Sequence, residues 1–134
     1  GAEAAAPTAE VLAAIAGARA VVVGPSNPVI SIGPILALPG MREALRSCPG
    51  PVVAVSPLVA GRSLKGPTEA FLAWAGRELS SEGIAACYDG LLDGLVADER
   101  TDALPTLETD VSMPDAASRR RVAAETLDFA LALG

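Results

Sequence analysis

The sequence predicts an open α/β sheet, mostly parallel and flanked by helices. Two uniformly apolar, β-branched runs, Val21-Val22-Val23 and Val52-Val53-Ala54-Val55, read as strands buried on both faces. Each is closed by a turn pair, Gly24-Pro25 and Ser56-Pro57, and helix-periodic stretches separate them. Alternation of buried strands with helices is what parallel neighbours require, because their connection must cross the sheet.

The elements follow in order. Thr8 caps a short helix over 10–16 with Val11, Leu12 and Ile15 on one face, and residues 20–23 form the first strand. Residues 24–40 read as a long loop, residues 41–47 as a helix stopped by Pro49-Gly50, and residues 51–55 as the second strand. Pro67 at a first helical position opens a helix over 68–75 that Gly76 ends, and Ser80-Ser81-Glu82 opens another to Tyr88. Residues 91–96 are a strand and residues 106–111 a weaker, alternating one. Ser112, with Asp115 three residues on, marks a capped start for a last helix to Leu133, with Val122, Leu127, Ala130 and Leu131 toward the sheet. Phe71, Trp74 and Tyr88 are spaced for core packing. Residues 1–134 make a single α/β segment without an internal boundary.

Composition excludes several functions. The 134 residues are 51% apolar and 19% charged, with a net charge of -6, which speaks against disorder and against a general nucleic-acid surface. No apolar run reaches the length of a membrane span. The chain has no histidine, which removes Ser-His-Asp catalysis, and Cys48 and Cys87 are too far apart for a C-x-x-C pair. With no leader pattern at the start, a cytoplasmic setting is expected, and both thiols are expected to be structural.

The chemistry concentrates in Gly24-Pro25-Ser26-Asn27-Pro28-Val29-Ile30-Ser31-Ile32-Gly33-Pro34. It follows a predicted strand's carboxyl end, where open α/β sheets bind ligands. Ser26, Asn27 and Ser31 offer side-chain donors. The backbone over Gly24, Pro25, Pro28, Ile32 and Gly33 is expected to approach a phosphate closely, with its N–H groups as a cradle and the prolines as stiffeners. The alternative is a turn-rich connection whose Ser and Asn bond their own backbone. The loop after the second strand carries Lys65, the chain's only lysine, before a helix start, a place for a phosphate or merely a solvated cation. Neither loop is a Walker A or a G-x-G-x-x-G. Asp89, Asp93, Asp98, Glu99 and Asp102 could hold magnesium, but Asp98-Glu99-Arg100 reads better as a solvated turn, and Arg119-Arg120-Arg121 as a solvated helix face. No metal ligands are assigned.

Gly24-Pro25-Ser26-Asn27-Pro28 with Ser31-Ile32-Gly33-Pro34-Ile35-Leu36 is similar to the 2-phospho-L-lactate transferase family. Val53-Ala54-Val55-Ser56-Pro57-Leu58-Val59, Lys65-Gly66-Pro67 and Tyr88-Asp89-Gly90-Leu91-Leu92-Asp93-Gly94-Leu95-Val96 continue the likeness. The resemblance implies transfer of a phospholactyl or phosphoenolpyruvyl group from a guanosine-diphosphate-linked donor to the deazaflavin Fo, releasing GMP, in coenzyme F-420 biosynthesis, with magnesium as cofactor. It places Ser26, Asn27 and Ser31 on the donor's phosphates or on the acceptor, with Lys65 nearby. It also implies that the chain is the C-terminal part of a longer transferase, so that its Rossmann-like fold is partial and inactive alone. Its open edge would be covered by the missing half or another copy, and a homo-oligomer is expected. The rival is a non-catalytic module of a related UDP-sugar-binding regulatory family, which shares a Gly-Pro-x-Ser loop. A third reading is a structural domain whose loops bind nothing.

Overall fold

β1 (Val21–Val23), β2 (Val52–Val55), β5 (Gly94–Ala97) and β6 (Thr106–Glu108) form one sheet, in that order and all parallel. These are the strands of a computed structural model that describes residues 4–63 and 66–134. A two-stranded antiparallel hairpin, β3 (Leu58–Val59) and β4 (Arg62–Ser63), follows β2 directly. The fold is α/β with a parallel sheet flanked by helices, consistent with part of a Rossmann-like fold.

One helical layer contains α1 (Ala9–Ala16), α2 (Gly33–Leu36), α3 (Met41–Arg46), α4 (Thr68–Trp74) and α5 (Ser81–Cys87). Leu36, Met41, Leu45, Leu72, Ile84 and Tyr88 from this layer close over Ala54, Leu95 and Ala97 of the sheet. On the other face lies α6 (Ala116–Leu133), where Val122 and Phe129 pack against Val55 and Val96. Alternation along β2 and β5 thus splits the core into two halves.

β2 and β5 are buried throughout, as the uniform apolar run of the former predicts. β1 differs from expectation. It lies at the sheet's edge, with β2 as its partner among the described residues, and Val22 is 45% exposed. A Val-Val-Val run reports β-propensity and apolarity, and neither specifies that a neighbour is present. α1 likewise buries only part of one face: Ile15 packs on the core while Val11 and Leu12 stay exposed.

Four further expectations are corrected. Residues 28–36 are helical rather than loop, a π-turn over Pro28–Ile32 leading into α2. Asn27 caps it and Pro28 takes the first position, a start signal hidden among the turn-forming residues around it. Asp115, not Ser112, caps α6: its carboxylate accepts from the Ser118 backbone while the Ser118 side chain accepts from the Asp115 N–H. Leu127 and Leu131 are exposed, and Thr126 and Phe129 face inward instead. Trp74 is 80% exposed and Phe71 only half-buried, whereas Tyr88 is in the core as expected. Boundaries shift too: β5 begins at Gly94 and β6 ends at Glu108.

Among the described residues, no helix is long and apolar enough to cross a membrane.

Candidate functional site

Because the four strands are parallel, their carboxyl ends share one rim. An open crevice of about 710 Å³ lies there, and its described walls come from three stretches and the start of α4. Pro25, Ser26, Asn27, Ile30 and Ser31 form the first, and Ser56, Pro57, Val59 and Ser63 the second. Val111, Ser112, Met113, Pro114 and Arg119, from the lead-in to α6 and its first turn, close the third, with Gly66, Pro67 and Thr68 at the start of α4.

The first wall is shaped by Asn27. Its side-chain Oδ1 accepts from the Val29 N–H at 2.9 Å and the Ile30 N–H at 3.0 Å, and its Nδ2 donates to Thr68 Oγ1 at 3.4 Å. Its backbone carbonyl accepts from both Ser31 and Ile32 at 3.1 Å, which is the wide turn of a π-helix, a geometry frequent at functional sites. The consequence is twofold. Ser31 and Ile30 are turned into the crevice, and the loop is tied to the head of α4 across 41 residues of sequence.

This arrangement changes what the loop offers. The N–H groups of Ser26, Val29, Ile30, Ser31, Ile32 and Gly33 all donate within the loop, and Pro25 and Pro28 have none. The backbone cradle expected over Gly24, Pro25, Pro28, Ile32 and Gly33 therefore has few donors to give. Of these five, only Pro25 is on the crevice wall; Pro28 is buried and Ile32 packs on the core. Gly24 and Gly33 serve the strand end and the helix. What faces the crevice is a set of hydroxyls, with Ser26 and Ser31 both exposed. Lys65 lies outside the described residues.

The second wall depends on a clamp. The β3–β4 hairpin turns through Ala60 and Gly61, both left-handed (φ 50° and 69°), a two-residue turn of the kind that matches strand twist. The Asp98 carboxylate, just past β5, accepts the Ala60 N–H. Below it, Ser56 is buried and its Oγ accepts from the Leu58 N–H at 3.1 Å.

Three of the five acids expected to be free for a metal or solvent are acceptors within the fold, while Asp89 and Asp102 are exposed. Asp93 takes the Val52 N–H at 2.8 Å and Glu99 the Ser81 N–H at 3.3 Å, beside Asp98's bond to Ala60. No carboxylate is among the described lining residues, and among the described residues no three His, Cys, Asp or Glu side chains gather as a metal site. The described residues thus do not fit magnesium, whose ligands are hard oxygens, chiefly carboxylates and phosphates.

The arginine run separates. Arg121 donates to the Asp110 carbonyl at 2.6 Å, to Thr109 Oγ1 at 3.2 Å and to Glu125 at 3.1 Å, fastening α6 to the chain after β6. Arg119 lines the crevice, a placement that sequence reading missed because a run of like charge on a helix normally marks solvent. The signal was available: Arg119 precedes the buried Val122 by three residues and Thr126 by seven, so it lies on the same stripe.

Both cysteines donate their thiols to backbone carbonyls, Cys48 to Ile15 at 3.3 Å and Cys87 to Gly83 at 3.2 Å. Burial pushes the Cys87 thiol up from its ordinary value, against a smaller lowering by Arg77, which keeps it protonated at neutral pH.

A parallel open α/β sheet with a crevice on its carboxyl rim, where hydroxyls and one guanidinium stand among apolar side chains, defines the class: an open α/β domain with its cleft at the strand ends. The chain belongs to the family described as 2-phospho-L-lactate transferase CofD, which matches residues 1–128. It is 46% identical over 95 residues to the 2-phospho-L-lactate transferase of Methanococcoides burtonii, covering 71% of this chain and 30% of that protein. It is 40% identical over 126 residues to the phosphoenolpyruvate transferase of Kitasatospora aureofaciens, covering 83% and 39%. The phosphoenolpyruvate transferase of Streptomyces griseus is 40% identical over 135 residues, covering 90% and 42%. The match thus spans between 30% and 42% of the length of these relatives.

Proposed function

We propose that the chain forms the C-terminal part of a transferase that moves a phospholactyl or phosphoenolpyruvyl group from a guanosine-diphosphate-linked donor to the deazaflavin Fo, a step of coenzyme F-420 biosynthesis in the cytoplasm. The acceptor hydroxyl attacks the phosphorus that bears the three-carbon acid, and GMP leaves. Such a reaction needs positioning and charge stabilisation more than covalent help. The observation that carries the reading is the convergence of hydroxyls from two successive strand-end loops on one crevice, in a chain of this family. Ser26 and Ser31 contact the donor's phosphates or the acceptor, and Lys65 supplies charge nearby. Asn27 contributes chiefly by holding Ser31 in place. No step of this reading runs through magnesium, because the described residues do not fit it.

The open edge of β1 is covered in the full-length protein by the segment that its relatives have and this chain lacks, or by a second copy in a homo-oligomer. Turnover of Fo with the guanylylated donor and magnesium, compared between this chain and the full-length protein, tests the reading: activity is expected from the latter alone. In the full-length protein Ser31→Ala is expected to weaken GDP binding by about 1–2 kcal/mol, the usual loss of a hydrogen bond to a charged group. Tight binding of a UDP-sugar with no response to GDP favours the regulatory module instead, and no response to either favours a structural domain.

A further inference from the structure

Three successive arginines at the head of α6 meet three fates. Arg121 is committed to Asp110, Glu125 and Thr109; Arg119 and Arg120 are both exposed, but Arg120 does not line the crevice. Arg119 lines the crevice and forms no ion pair with any described residue. Its position is electrostatically poor. It is the fourth residue of an 18-residue helix, where the positive end of the backbone dipole disfavours a cation. The acid one turn back, Asp115, could offset this, but its carboxylate is occupied by the Ser118 N–H at 2.8 Å and hydroxyl at 2.7 Å. Its side chain is exposed, as that of Arg120 is, but it lies three residues before the buried Val122 and so on the crevice side of the helix.

The surroundings say what such a cation faces. The described lining residues include no carboxylate, and Ser26 and Ser31 bring hydroxyls to the same crevice. A guanidinium with five donors and neighbouring hydroxyl donors match an anion that presents several oxygens at once. We propose that Arg119 is a binding residue for the diphosphate of the donor, holding phosphate oxygens from the α6 side of the crevice while Ser26 and Ser31 hold them from the β1 side. This assignment rests on the transferase reading above. It adds to it a residue from outside the two strand-end loops, and a reason why α6 tolerates a cation in its first turn.

The test is calorimetric titration of the full-length protein with pyrophosphate and, separately, with GDP. Arg119→Ala is expected to weaken both ligands about 10- to 100-fold, the loss of charge-assisted hydrogen bonds. Arg119→Lys should recover part of that loss, as a point charge without the fork, and Arg120→Ala should match the unaltered protein. The melting temperature of Arg119→Ala should stay level or rise, because a cation leaves the helix head, and this separates a binding role from a structural one. Unaltered affinity in Arg119→Ala, with the parent binding both ligands, overturns the assignment and leaves the transferase reading standing. Weakened GDP binding with pyrophosphate unchanged also overturns it, since the residue would then read the nucleoside. A parent protein that binds neither ligand overturns the transferase reading, and the assignment with it.

Discussion

The two rims of the sheet are built in opposite ways. On the amino rim, backbone packs against backbone: a Cβ on Gly50 would lie within 2.7 Å of the Ala20 nitrogen and closer still to the Arg19 carbonyl. Nearby, Gly94 leaves room for the Phe129 ring at the foot of α6, and Asp93 receives the Val52 N–H. On the carboxyl rim lie turns, hydroxyls and a guanidinium that has no ion-pair partner among the described residues, around an open crevice. One rim spends its residues on closure and the other leaves polar groups facing outward. Substitutions on the first should therefore cost stability, and substitutions on the second should cost binding.

The largest effect that checks this contrast is Gly50→Ala. No flexible side chain can yield there, so overpacking is expected to destabilise by about 3 kcal/mol in urea unfolding. A loss under about 1 kcal/mol would show that the amino rim is looser than it looks. Next is Asn27→Ala, which removes a helix cap and the link to Thr68; about 1–2 kcal/mol of stability should go. Because the same residue holds Ser31, GDP affinity should fall as well, which makes Asn27 the point where the two behaviours mix. Full affinity at reduced stability would assign it wholly to the fold.

Thr126→Val should go the other way. Its hydroxyl is buried on α6 without a hydrogen-bond partner among the described residues, so an isosteric methyl is expected to stabilise by about 1 kcal/mol while leaving ligand binding unchanged. The smallest effect is on acidification. Hydrogen bonds from Ser112, first its side chain and then its backbone, hold the Asp110 carboxyl below its ordinary value. Those from Ser118, backbone first, do the same for Asp115. A lowered folded-state value contributes stability above the unfolded carboxylate's pKa, and that stability is lost as pH falls through the folded value. Amide exchange at Ser118 should therefore accelerate below about pH 4 before the amino rim opens. Simultaneous opening of both would mean that the α6 wall has no separate acid response.

Much of the fold was legible in the residues. The uniform apolar run of β2 meant burial on both faces, and Ser80 capped α5 as read, because these signals are local or nearly so. The Val21-Val22-Val23 run was equally apolar, yet β1 is an edge, since propensity does not count neighbours. Asn27-Pro28 was legible as a helix start, but the neighbouring Ser26 and Pro25 made a turn the simpler reading. In the site, the two strand-end loops were found from their position after the strands. Arg119 was not, since the wall it belongs to comes from the far end of the chain.

By itself the sequence determined the α/β alternation, the buried second strand, the family and the loops that follow each strand, all of which depend on residue type over short windows. Only the tertiary structure decided which donors remain for a ligand. A backbone N–H or a carboxylate is available or spent according to what folds against it, and here Asn27 uses the loop's amides while Asp98 and Glu99 are used by the β3–β4 turn and the head of α5. The hydroxyls of Ser26 and Ser31 and the guanidinium of Arg119 line the crevice and have no partner among the described residues, so theirs are the donors left to meet a ligand.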